Sequence, residues 1–147
     1  MVSFTSLATL ALVLLPYGTL ATIVSYDNRY DNAGGSLNTV ACSDGPNGLM
    51  TRGFTTFGSI PKFPHLGGAE AVKGWNSPSC GTCWELTYTN AQGKKKSINV
   101  LAVDVAKPGF NIALSAMNEL TNGTAVQVGK VEVESKKVDP SVCGLKV

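Results

Sequence analysis

Cys80-Gly81-Thr82-Cys83 has the most chemical options of any run in this chain. A Cys-x-x-Cys pair can exchange electrons, hold a metal or staple the backbone. Redox exchange needs the first cysteine at a helix N-terminus, where the dipole lowers the thiol pKa. Here Cys83 leads into Trp84-Glu85-Leu86-Thr87-Tyr88, which alternates as a strand does. Zinc needs a second knuckle, but Cys42 and Cys143 are far apart and His65 is the single histidine. Stapling remains, and four cysteines make two disulfides. A Cys80–Cys83 bond is the redox-type pairing and is disfavoured. The other two pairings join Cys80 and Cys83 to Cys42 and Cys143, with Cys42–Cys80 and Cys83–Cys143 preferred. Each closes a long loop, so each stabilises by about 4 kcal/mol in the chain-entropy model. No metal or cofactor is expected.

Other reactive side chains offer less. His65 sits in a proline-flanked loop, and no nucleophile-elbow motif accompanies it. Lys94-Lys95-Lys96 follows the turn-like Asn90-Ala91-Gln92-Gly93, so it reads as a solvated hairpin tip. The formal charge of +2 does not point to a nucleic-acid partner. Asn122-Gly123-Thr124 is an N-glycosylation sequon in a turn that ends a helix.

The N-terminus gives the compartment. Leu7 to Leu15 is apolar except for Thr9, and it is too short to span a bilayer. Pro16 and Gly18 follow, and then Thr19-Leu20-Ala21 places small residues where signal peptidase prefers them. Residues 1–21 read as a secretory leader and 22–147 as one domain, with no membrane span. That domain is small enough to gain from disulfides.

The elements that must position these residues are short. Thr22–Tyr26 reads as a strand and Leu37–Ala41 as a strand or a helical turn. Asp44-Gly45-Pro46-Asn47-Gly48 carries strong turn chemistry. Gly58–Gly68, with two prolines and three glycines, reads as a loop, and Ala69–Lys73 as one helical turn. Trp84–Tyr88 and Ser97–Val103 read as a hairpin. The second of these is apolar enough to be buried on both faces. Asn111 is a candidate N-cap for a helix over Ile112–Leu120. Ala125–Glu134 reads as an alternating strand with a bulge at Gly129. Together these predict a small, mainly β barrel with short peripheral helices.

The residues also resemble a known family. Val24-Ser25-Tyr26-Asp27, Ala41-Cys42-Ser43-Asp44-Gly45, Gly48-Leu49 and Ile60-Pro61-Lys62-Phe63-Pro64 look like the cerato-platanin family. So do Gly74 to Trp84, Ile98 to Asp104, Gly109-Phe110-Asn111-Ile112 and Cys143-Gly144-Leu145. The likeness runs in order through residues 22–147. It implies a fungal, secreted protein of the medium and cell wall, with a double-psi β-barrel related to expansins and to a family of endoglucanases. It implies the preferred disulfide pairing. It implies binding of chitin (N-acetylglucosamine) oligomers and wall polysaccharides in a shallow groove, wall loosening, and elicitor, toxin or immune-modulating activity without hydrolysis.

The resemblance assigns sugar-binding roles by position. Asp104, at the end of an apolar strand, matches the general acid of the barrel superfamily. Asn111 matches a groove residue, and Gly81 and Thr82 fit because a glycine lets a sugar reach the backbone and a hydroxyl both donates and accepts. Tyr26 and Asp27 are placed nearby by the family alone. Hydrolysis would need a second carboxylate about 5–5.5 Å or 6.5–9.5 Å away. Asp27 and Asp44 are possible partners, but neither is compelling. Trp84 reads as core, while Trp75 is open to either core or sugar stacking. Three functions follow: a non-catalytic sugar binder, an effector recognised by a host receptor through Asp44–Gly48 and Phe57–Gly68, and a weak glycosidase using Asp104.

Overall fold

Along Lys130–Val138, Val131, Val133 and Ser135 are buried while Glu132 and Glu134 face solvent, the alternation of a sheet with one covered face. The computed structural model describes residues 19–146. Its strands are β1 Leu20–Tyr26, β2 Leu66–Ala69, β3 Cys83–Thr89, β4 Lys95–Val105, β5 Phe110–Ile112 and β6 Lys130–Val138. They close into a barrel in the order β1-β5-β2-β4-β3-β6. Two neighbouring pairs are parallel, β1 with β5 and β2 with β4, and the others are antiparallel. The expected mainly β barrel is therefore present. Along β4, Val100 through Val103 are all buried, as expected of a strand covered on both faces.

Residues 58–68 and 125–134 take other elements than expected. Residues 58–68 are not all loop, because Leu66–Ala69 is a barrel strand. Its glycines are required by crowding. A Cβ on Gly67 would lie 2.3 Å from the Asn111 carbonyl oxygen, and one on Gly68 2.6 Å from that of Val105. Residues 125–134 are not one strand either. Ala125–Val128 forms the helical turn α2, with Val126 and Val128 exposed, and Gly129 at φ 70° joins it to β6.

The helix α1 spans Leu114–Thr121 and buries Ala116, Met117 and Leu120. Asn111 does not cap it, for it lies in β5. Asp31 takes that role from a distant segment, accepting from the Leu114 N–H at 2.7 Å and the Ser115 N–H at 3.0 Å. A carboxylate there also suits the positive end of the helix dipole.

The disulfides are Cys42–Cys80 and Cys83–Cys143. The first joins the segment before the Asp44 turn to the Trp75 loop. The second ties the C-terminal 3-10 turn Pro140–Cys143 to the start of β3. The hairpin tip is as expected, with the Asn90 side chain accepting from the Gln92 and Lys94 N–H groups. Of the expected leader, residues 1–18 lie outside the described residues, and Leu20 and Ala21 pair with Ser135 and Glu134 in β6. Among the described residues no helix is long and apolar enough to cross a membrane.

Candidate functional site

Asp104 ends the buried run of β4, and its carboxylate is held by four donors. Oδ1 accepts from the Ala41 N–H at 3.0 Å and from its neighbour Val105 N–H at 2.9 Å. Oδ2 accepts from Arg29 Nη2 at 2.5 Å and the Tyr30 hydroxyl at 2.9 Å. Charge-assisted bonds of this kind are the strong ones. The Asp104 side chain is only 17% exposed, while Arg29 is 45% exposed. Burial and then the negative Asp104 push the Tyr30 phenol far above its usual range.

One short turn organises this cluster. Asn28–Asp31 is a 3-10 helix whose N-cap, Asp27, accepts from the Arg29 N–H at 2.9 Å. Arg29 turns its guanidinium over the Tyr30 ring, 4.8 Å from the centroid, and bridges Asp27 and Asp104. Tyr30 is buried against Phe57, and Asp31 reaches α1. Arg29 belongs to this cluster although sequence reasoning did not name it. Nothing in its local sequence marks it, and only the structure sets it between Asp27 and Asp104.

The sheet register lines up further polar groups. Ser25 pairs with Asn111, Asn111 with Gly68, and Gly68 with Asp104. In-register neighbours share a face of the sheet. Ser25 Oγ donates to Asn111 Oδ1 at 3.2 Å. Asn111, Ser25, Val105, Lys107, Pro108 and Lys130 line a cleft of about 330 Å³. Asp104 precedes the cleft wall and is not part of its lining.

The other sequence candidates divide. Asp27 joins Asp104 through Arg29. Tyr26 is half-buried against the core, on the opposite face of β1 from Ser25. Gly81 and Thr82 flank β4 through bonds to Ala102, but both are buried. Arg52 fills the space above Gly81, where a Cβ would lie 2.4 Å from its Nη1. The Thr82 hydroxyl is already engaged, donating to the Ser79 carbonyl and accepting from Trp84 Nε1 at 2.8 Å. The open backbone and free hydroxyl expected at these two positions are thus covered by Arg52 and by Ser79 and Trp84.

Neither suggested second acid stands free beside Asp104. Asp27 sits across Arg29, with its Oδ2 4.0 Å from Nε. Asp44 lies in its own turn and accepts from Trp75 Nε1 at 2.6 Å. That bond holds its carboxyl below the usual range. His65 Nε2 meets Glu119 at 2.6 Å. Trp84 packs edge-on against Phe110, at 5.6 Å between centroids. Asn122 is exposed in the left-handed turn that ends α1.

With this geometry in place, similarity to known proteins is informative. The cerato-platanin family model matches residues 22–145. Allergen Asp f 15 of Aspergillus fumigatus is 53% identical over 82% of this chain and 75% of its own. Cerato-platanin of Ceratocystis fimbriata f. sp. platani is 41% identical over 84% of this chain and 87% of its own. The crystal structure of cerato-platanin 2 from M. perniciosa superposes with a TM-score of 0.81 at 54% identity, over 85% of this chain and 99% of that one. A fold shared at that level, and a family match across both disulfides and the Asp104 strand, leave one assignment: the chain belongs to the cerato-platanin family.

Proposed function

We propose that this protein is a secreted, non-catalytic carbohydrate-binding protein whose ligands are chitin oligomers and related wall polysaccharides. The supporting observation is the polar row Ser25–Asn111–Gly68–Asp104 with Asp27 and Arg29 beside it, on a shelf next to an open cleft. Carboxylates, amides and guanidinium groups held in fixed directions suit the paired hydroxyls and acetamido groups of a sugar.

The chemistry argues against cleavage. A general acid must carry a proton to the leaving oxygen. Both Asp104 oxygens face donors instead, so a proton on either would oppose an N–H or O–H. The reading is therefore competition: protein donors and acceptors replace hydrogen bonds between polysaccharide chains, and no glycosidic bond breaks. Loosening of a wall and capture of short fragments both follow from that exchange.

The test is a titration of the ¹⁵N-labelled protein with N-acetylglucosamine tetramer. The expected result is shifts at Asp27, Arg29, Asp104 and Asn111, weakened at least severalfold by Asn111→Ala. No shifts at millimolar sugar overturn the proposal.

A second reading has its own support. One relative is named an allergen, and another, of solved structure, is a fungal elicitor. Recognition by a host receptor would use the exposed parts of the turn at 44–48 and of residues 58–65. Of the expected stretch Phe57–Gly68, Phe57 and Leu66 to Gly68 are interior. A variant that loses sugar binding yet still triggers host responses separates the two readings.

A further inference from the structure

Trp75 is 62% exposed, although a tryptophan gains most from burial. Its indole is nonetheless fixed. Nε1 donates to Asp44 Oδ1 at 2.6 Å. The ring edge rests on Gly45, where a Cβ would lie 3.0 Å from Cζ2. The next residue, Asn76, takes a left-handed φ of 57° and is clasped by Asn47, whose N–H and Nδ2 donate to the Asn76 side chain and carbonyl at 2.9 and 3.0 Å. The Cys42–Cys80 disulfide binds the two segments from beneath. The ring is thus pre-ordered without being covered.

We propose that Trp75 is a stacking platform for a pyranose ring, a second subsite for the same polysaccharide that the Asp104 shelf binds. The inference rests on the carbohydrate-binding reading above. Two observations favour a sugar. The indole N–H is already satisfied, so the ring offers its π-face, which suits the apolar C–H face of a β-linked sugar. Beside it, Asp44 uses Oδ1 for Trp75 and Ser43, while Oδ2 accepts no hydrogen bond among the described residues. That oxygen is free to accept a sugar hydroxyl. The platform also adjoins the shelf: residues 41–44 carry both the Ala41 N–H that grips Asp104 and the carboxylate that grips Trp75. Ala41 and Asp44 are three residues apart, a span of up to about 10 Å, so a sugar chain must extend beyond one subsite to reach both, and the platform predicts length selectivity.

The experiment follows the two indole Nε1–H resonances while N-acetylglucosamine dimer, tetramer and hexamer are added to the ¹⁵N-labelled protein. Trp84 serves as an internal control. The expected result is a Trp75 shift with the longer oligomers only, and about 5- to 10-fold weaker hexamer binding in Trp75→Ala with dimer binding unchanged. Trp75→Phe, which keeps a face, should recover most of the affinity. If residues of the shelf shift but Trp75→Ala binds every length as before, the platform is overturned and the shelf stands. If nothing shifts with any oligomer, both readings fall.

Discussion

Ala41 and Asp104, 63 positions apart, are joined by a bond from the Ala41 N–H to Asp104 Oδ1 at 3.0 Å. That contact fixes the carboxylate at the end of β4 to the backbone just before Cys42. Asp104 is therefore a structural hub as well as a candidate ligand. Asp104→Ala should destabilise the protein by about 2–3 kcal/mol, because it strands the Ala41 N–H and the hydroxyl of buried Tyr30. Asp104→Asn, which keeps an acceptor, should cost less. Urea denaturation of the two variants checks the order.

Gly67→Ala should prevent folding. Its Cβ would strike backbone on β5, 2.3 Å from the Asn111 carbonyl oxygen and 2.6 Å from the Ile112 Cα. No flexible side chain can yield there. Gly93→Ala meets no atom within 4 Å and is strained only by its φ of 77°, so it should cost about 1 kcal/mol. Far-UV circular dichroism and thermal melts of the pair make the comparison.

Asp44 and Asp139 both lie below the usual carboxylate range, the first through Trp75 and the second through Ser141. A depressed folded pKa gives stability that is present above the unfolded value and is lost as pH falls through the folded one. Both contributions are therefore present near neutrality and vanish in acid. Trp75→Phe removes the indole hydrogen bond that does most to lower Asp44 and should move its midpoint up toward the ordinary value. Carboxyl ¹³C titration reads this directly, and an unmoved midpoint would count against the Trp75 bond.

The alkaline side depends on Tyr30, raised first by burial and then by Asp104. Stability from a raised pKa is present below the unfolded value of about 10 and is lost as pH rises through the folded one. The phenolate absorbance difference between the protein and Tyr30→Phe should be absent at pH 10. Its appearance there would contradict the buried pair.

Each disulfide closes a long loop, across 38 and 60 positions. Replacing Cys83 and Cys143 with serine should cost about 4 kcal/mol and leave the C-terminal turn free of β3. Chemical denaturation, with hydrogen exchange at Leu145, measures both effects.

Much of this was readable from residue types. The Cys80–Cys83 spacing ahead of an alternating strand gave the staples, and the apolar run into Asp104 gave the doubly covered strand. The missed parts share a physical cause, which is tertiary contact overriding local preference. Leu66-Gly67-Gly68-Ala69 reads as a loop because glycine favours turns, yet the barrel needs glycine where backbones cross. Asn111 has the chemistry of an N-cap, yet its backbone is paired on both sides. The cap comes from Asp31, which is distant in sequence. Gly81 and Thr82 suggested an open sugar contact, but only coordinates reveal Arg52 over one and Trp84 on the other. Arg29 carried no motif, and its role appears only once Asp27 and Asp104 stand on either side of it.

The pairing of β1 sets an order of events. Its partners are β5 and β6, so Val24 meets nothing in the sheet until Phe110 and Val131 exist. Contacts this distant in sequence are slow to form, since loop closure must precede any gain. During synthesis the first strand stays unpaired while the β3–β4 hairpin, local and self-sufficient in register, can already zip. The barrel is sealed last by the strand that is made first.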